Sequence, residues 1–173
     1  MSQWIQHPVK LIGNLVDLLP LESHHLEALY QVANDSHVWE FLPIDGSNKE
    51  RFMEEYHIAI NESNEGKAYP FVIVLKATGQ LIGSTRLFDL HEQHKKLEIG
   101  WTWLHPDYWG TKINFECKLL LLTYCFETLN TIRVQLKTSD TNLRSRKAIE
   151  KIGAQFEGIL RKDRIRENGS IRN

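Results

Sequence analysis

Between Leu97 and Leu129 the chain reads LEIGWTWLHPDYWGTKINFECKLLLLTYCFETL, and no other stretch restricts the possible folds as much. Its first eight residues suit a strand, with Leu97, Ile99, Trp101 and Trp103 on one face and Glu98, Gly100, Thr102 and Leu104 on the other. The run His105–Thr111 then supplies turn residues that end the strand. From Ile113 onward the pattern is apolar almost all the way round, which predicts a helix buried on both sides. A strand that turns directly into a helix gathers free backbone N–H groups and the positive helix end in one small volume. That is an anion-binding arrangement.

The rest of the composition narrows the class. A chain of 173 residues can build one full core, so residues 1–173 are expected to form a single domain. Hydrophobic residues at 42% and charged residues at 25% are ordinary for a soluble protein. No apolar run approaches the ~20 residues of a membrane span, and the first residues carry no basic-then-apolar signal. Cys117 and Cys125 are about 12 Å apart along the expected helix, too far to bridge. Free thiols that serve as packing groups fit a cytoplasmic protein. Charge is uneven: residues 1–98 hold 8 Lys/Arg against 14 Asp/Glu, and residues 99–173 hold 13 against 8. A basic half around an anion-binding turn suits a polyanionic ligand. The near-neutral total and the lack of a dense basic run argue against nucleic acid.

In chain order, residues 9–19 suit a first strand bent at Gly13-Asn14, and Ser23–Asn34 a helix with Leu26, Leu29 and Tyr30 on one face. Ser36–Asp45, with Trp39, Phe41 and Leu42, is expected as an irregular aromatic segment, either beside an acceptor entrance or as a buried corner. Asn48–Asn61 suits a helix with Phe52, Tyr56 and Ala59 or Ile60 inward. Tyr69–Leu75 and Leu81–Leu87 are strands joined at Thr78-Gly79, and His91–Lys96 is a polar connection. After the buried helix, Thr131–Lys137 alternates as a strand, Leu143–Ile152 is a short helix stopped by Gly153, and Ala154–Arg166 is a final strand. Glu167–Ser170 is the turn that follows it, leaving Ile171-Arg172-Asn173. The element order predicts an α/β (α+β) chain with a mixed, mostly antiparallel central sheet flanked by helices.

A second pattern lies in Asn142-Leu143-Arg144-Ser145 followed by Gly153-Ala154. Ser145, Ala148, Ile149 and Ile152 share one helix face, so the Ser145 hydroxyl points inward and requires a partner. That partner is either a carbonyl one turn back or a ligand.

Together, Tyr108-Trp109-Gly110-Thr111 after an EIGW strand and the Asn142…Ser145…Gly153 pattern resemble the two signatures of the GNAT N-acetyltransferases, specifically their RimJ/RimL-like branch. The resemblance spans most of residues 9–170. In that family the first turn cradles the pyrophosphate of coenzyme A, with Gln or Arg, two residues, Gly, one residue, then Gly or Ala. This chain keeps Gly110 but has Asp107 in the first place and Lys112 in the last. The resemblance implies acetyl-CoA as co-substrate, held by Trp103, Leu104, Trp109, Gly110, Thr111, Lys112, Ile113, Asn114, Asn142 and Ser145, with no metal. It implies donors to the thioester carbonyl near Trp103 and Leu104, and Ser145 as the acid that protonates the leaving thiolate, since Ile149 stands where many relatives have Tyr. The family also implies a last strand after the Glu167–Ser170 turn, here short, missing or supplied by a partner.

Acetyl transfer to an amine further requires a base. Glu157 matches a Glu proposed for that role in the RimL-like branch, and Glu98, at the start of the strand, is a second candidate acting through water; either is otherwise a solvated strand residue. His24-His25 and His91/His94 are surface histidines without a ligand spacing for metal. The chain has neither GxxxxGK[ST] nor GxSxG, which disfavours a nucleoside triphosphatase and an α/β-hydrolase. The expected function is transfer of an acetyl group from acetyl-CoA to a primary amine, by analogy a protein N-terminal α-amine, by direct attack in a ternary complex. The competing reading is a catalytically weak acyl-CoA-binding or assembly module. An open sheet edge near the last residues predicts a homodimer or a covering loop.

Overall fold

The computed structural model of the chain describes residues 4–166 and 169–173. Strand β1 (Leu11–Ile12) turns at Gly13 into β2 (Val16–Pro20), whose alternate residues Val16 and Leu18 are buried. A 3₁₀ turn at Ser23–His25 leads into α1 (Leu26–Ala33). Asp35 caps the short α2 (Ser36–Trp39) by accepting the His37 N–H at 2.9 Å, so the aromatic segment begins as a turn of helix. Asn48 caps α3 (Lys49–Asn64) in the same way through the Arg51 N–H, and Phe52, Tyr56 and Ala59 form its buried stripe.

β3 (Tyr69–Leu75) and β4 (Leu81–His91) form the expected hairpin, with Gly79 at φ 73°. The polar connection closes with a 3₁₀ turn at Glu92–His94, and β5 (Lys96–Leu104) follows. The buried helix is α4 (Ile113–Thr123), continued by a π-helical turn at Tyr124–Thr128. β6 (Arg133–Gln135) is shorter than the alternating sequence predicts and runs parallel to β5. α5 (Leu143–Lys151) ends before Gly153, which takes the left-handed conformation at φ 85°. The six strands lie in chain order β1-β2-β3-β4-β5-β6, antiparallel except for the last pair.

The sheet has a core on each face. α4 packs Cys117, Leu121 and Cys125 against Leu18, Phe71 and Ile99. On the other face α1 and α3 pack Leu29, Phe52 and Tyr56 against Val72, Trp39 and Trp103. The Glu116 carboxylate ties α4 to the β1–β2 turn by accepting the N–H groups of Asn14, Leu15 and Val16 at 3.0, 2.6 and 2.8 Å. Among the described residues no helix is long and apolar enough to cross a membrane.

Two expectations need correction. The alternation of β5 does not run through from Leu97 to Trp103. Gly100 pairs with Arg86 and Trp103 with Ser84, so Trp101 and Thr102 together face the single residue Thr85. This is a β-bulge, and Trp101 takes φ 52° within it. Leu97 and Ile99 therefore pack with α4, while Trp101 and Trp103 turn to the α1–α3 side. The second correction is the final strand. No strand forms from Ala154 to Asp163, where Gly158 bends the chain at φ 147° and Phe156, Ile159 and Leu160 lie exposed without a strand to face them. Only β7 (Arg164–Ile165) and β8 (Ile171–Arg172) pair, as a separate small sheet. Of the expected turn between them, Glu167 and Asn168 lie outside the described residues.

The bulge depends on close contact between β4 and β5. A Cβ on Gly83 would stand 2.2 Å from the Trp103 carbonyl oxygen and 3.0 Å from the Leu104 Cα. Gly83→Ala should lower stability by about 1–3 kcal/mol, seen as a lower urea midpoint with the slope unchanged. An unchanged midpoint would mean that the two strands part more easily here than their packing indicates.

Candidate active site

The cleft follows from the lengths of two strands. β6 pairs with β5 only along Lys96–Glu98, so beyond Glu98 β5 keeps a neighbour on one side and parts from the chain that follows β6. Gly100–Leu104 form one wall of the resulting cleft, and Asn114 and Lys118 of α4 another. Ser145, Ala148 and Ile149 of α5 line it as well, as do Phe41, Leu42 and Pro43 after α2. The aromatic segment is thus part of the cleft rather than only a buried corner.

Of the residues singled out in the sequence, Glu98, Trp103, Leu104, Trp109, Gly110, Asn114, Asn142 and Ser145 line this one cleft. Gly110 makes the turn at φ 74°, with open space where a Cβ would project. The Trp109 indole N–H donates to the Leu104 carbonyl at 2.9 Å and fixes the turn to the end of β5. Thr111, Lys112 and Ile113 stand outside the lining. The Thr111 hydroxyl donates to the Tyr108 carbonyl at 2.7 Å and accepts the Ile113 N–H at 3.3 Å, Lys112 is an exposed N-cap, and Ile113 is in the core. Asp107 is exposed and turned toward His105, away from the turn's N–H groups.

The buried Asn142 side chain caps α5 by accepting the Ser145 N–H at 3.0 Å, which orients the first turn of that helix. Ser145 itself faces the cleft. Its hydroxyl makes no hydrogen bond to another described residue, so the carbonyl one turn back is not its partner. Arg144, beside it, lies over the Trp109 ring with its guanidinium carbon 3.4 Å from the centroid. That cation–π contact joins the two sequence patterns across the cleft.

The two candidate carboxylates separate clearly. Glu98 is 4% exposed, with Lys137 Nζ at 3.1 Å. Burial raises its pKa above the usual glutamate value, and the bond and charge of Lys137 offset this only in part. Glu157 is not brought to the cleft. It is exposed and held by Arg133 in a two-pronged ion pair at 2.6 and 2.5 Å, which keeps its pKa low. A carboxylate so engaged is paired with Arg133 and does not line the cleft. The thiols of Cys117 and Cys125 are both pushed up to about 12 by burial, as suits packing groups.

Sequence reasoning passed over Lys118, Thr102, Lys137 and Arg144. Lys118 is buried in the cleft wall, its Nζ donating to the Thr102 hydroxyl at 2.6 Å, and desolvation lowers its pKa to about 8. The signal was present as a single charge at the head of the otherwise apolar run Leu119–Leu122. Lys137 gave none, because its pairing with Glu98 arises only where the chain leaves β6 beside β5.

Comparison with known proteins agrees with this geometry. Residues 16–155 match the model of the family described as Acetyltransferase (GNAT) domain. The uncharacterized N-acetyltransferase p20 of Bacillus licheniformis is 28% identical over 145 residues, 83% of this chain and 81% of the relative. A protein of T. thermophilus classed as an acetyltransferase superposes with a TM-score of 0.84 at 32% identity, over 97% of this chain and 87% of that one. Mycobacterium smegmatis RimJ, solved in complex with CoA-disulfide, shares the fold with a TM-score of 0.82 at 23% identity, over 96% and 84% of the two chains. The chain belongs to the GNAT family of N-acetyltransferases.

Proposed function

We propose that this enzyme transfers the acetyl group of acetyl-CoA to a primary amine, the N-terminal α-amine of a protein, by direct attack in a ternary complex within one domain. The supporting observation is the cleft itself: an anion-binding strand–helix turn at one end, and a buried carboxylate, Glu98, in its wall. The residues present fit the cofactor. Gly110 leaves the turn open to phosphate, the exposed Lys112 ammonium stands at its rim instead of filling it, and the N-terminal end of α4 points positive. The pyrophosphate lies along Trp109–Asn114, and the pantetheine arm between the end of β5 at Trp103-Leu104 and the Asn142–Ser145 wall.

Glu98 draws the proton from the acceptor amine through water, and Ser145 gives one to the departing sulfur. Glu98 serves as a base only when ionised, and burial has raised its pKa. The acid limb of the kcat/KM profile therefore lies above the ordinary glutamate range of about 4.3, with activity lost as pH falls through the raised value. The Phe41–Pro43 segment and Trp101 shape the acceptor side. An N-terminal residue with its backbone extended fits such an apolar, aromatic opening.

Calorimetric titration with CoA and with desulfo-CoA tests the cofactor assignment, and micromolar binding of both is expected. Glu98→Gln and Ser145→Ala should each lower kcat by about 10²–10⁴ while CoA affinity stays within a few-fold. Full turnover in both variants would remove these residues from the mechanism. Comparison of peptides with free and blocked N-termini checks the acceptor: only the free amine should consume acetyl-CoA.

A further inference from the structure

Lys118 is a buried cation without a counter-ion. It is 6% exposed, one turn along α4 from Asn114, and its ammonium reaches into the cleft wall. Thr102 holds it at 2.6 Å, and the Thr102 hydroxyl is in turn 2.7 Å from that of Thr85. No carboxylate among the described residues forms an ion pair with it. Burying an unpaired charge is strongly unfavourable, and a leucine here would extend the apolar run that follows. The bulge places Thr102 on the α4 side of β5, between Gly100 and the Trp103-Leu104 end. The ammonium is therefore held through Thr102 and Thr85 of two strands, in the wall of the same cleft that Ser145 lines.

We propose that Lys118 is a catalytic residue whose ammonium lies against the thioester end of the bound acyl donor and meets the negative charge released on sulfur as the C–S bond opens. The inference rests on reading the cleft as an acetyl-CoA site. In the step, the acceptor nitrogen bonds to the acyl carbon and the C–S bond breaks with its electron pair on sulfur. The amine's proton leaves through water to Glu98, and sulfur takes a proton from Ser145, which regains one from solvent. Lys118 keeps its proton and supplies charge. A fixed charge in a water-poor wall favours the charge-separated transition state over the neutral thioester. The other ionisable groups of the cleft lining are Glu98 with Lys137, Arg144 on α5, Tyr108 on the turn, and Arg164 and Arg172 of β7 and β8, with Cys117 and Glu116 beside Lys118 on α4.

The test titrates the thiol of bound CoA by its ultraviolet thiolate absorbance, with desulfo-CoA as blank, in the wild type, Lys118→Met and Thr102→Val. The wild type should lower the thiol pKa from about 8.5 by roughly one unit, a tenfold gain in thiolate at a given pH. Lys118→Met should restore the free value with desulfo-CoA affinity unchanged, and Thr102→Val, which keeps the charge but not its aim, should fall between. Folding of Lys118→Met is checked by thermal unfolding. Because the folded state lowers the lysine pKa to about 8, the unfolded chain holds the proton more tightly, and wild-type stability rises with pH between about 8 and 10.4. The variant's melting temperature should exceed the wild type's at pH 7, and the gap should shrink toward pH 10. Identical thiol titrations in wild type and Lys118→Met, with desulfo-CoA bound by both, would overturn the role of Lys118 and leave the acetyl-CoA site standing. Loss of desulfo-CoA binding in Lys118→Met would make it a pantetheine-binding residue instead. Failure of the wild type to bind either compound would overturn the cofactor site and this inference together.

Discussion

The bulge at Trp101-Thr102 is the constraint on which the rest of the site depends. One extra residue in β5 reverses which face each later side chain occupies, so the strand serves the α4 core at Ile99 and the opposite core at Trp103. The bulge falls just beyond Glu98, where pairing with β6 has ended, so the re-aimed side chains are those that wall the cleft. The left-handed backbone at Trp101 costs about 1–3 kcal/mol and persists only because its surroundings hold it. Those surroundings are specific. The buried Arg86 guanidinium lies over the Trp101 ring at 4.5 Å and is itself paired with Glu55 of α3 at 3.2 Å. Gly100 gives room for the Phe88 ring, which a Cβ would meet at 2.8 Å.

What the sequence reveals and conceals follows from the range of each interaction. Helix caps, the Thr78-Gly79 hairpin and the inward stripe of α5 are local, and each is where its pattern predicts. The bulge is not local: it arises from pairing with Thr85 on another strand, and a stretch such as EIGWTW alternates equally well with or without it. The Ala154–Arg166 segment shows the opposite failure. Its composition permits a strand, but a strand forms only when a neighbour offers hydrogen bonds, and Gly158 turns this segment aside. Glu157 and Glu98 look alike in sequence, one beside a glycine and one opening a strand. Tertiary placement, which the sequence does not display, puts Arg133 against the first and Lys137 against the second.

Charge within the cleft is distributed by depth. Outside the lining, the exposed Lys112 and the N-terminal end of α4 carry positive charge through solvent, an effect that acts at long range and weakens with salt. Farther in, Glu98 and Lys118 occupy sites where water no longer screens them, one drawn toward its neutral form by burial, the other likewise. Burial that draws both groups toward their neutral forms is the kind of perturbation found where protons move and charge develops. The exposed charge acts at long range and the buried ones at short range, and α4 with its N-cap supplies one of each kind, Lys112 and Lys118.

The Arg144–Trp109 contact has a consequence for the timing of ligand exchange. Its guanidinium already lies flat on the indole, and that indole is pinned to Leu104. Little rotamer freedom remains at this end of the cleft to be surrendered to a ligand. On the proposed acetyl-CoA reading, arrival would be governed by diffusion and charge, whereas departure would break contacts to groups already in position. Residence time, rather than capture, becomes the quantity that changes at Arg144 can tune.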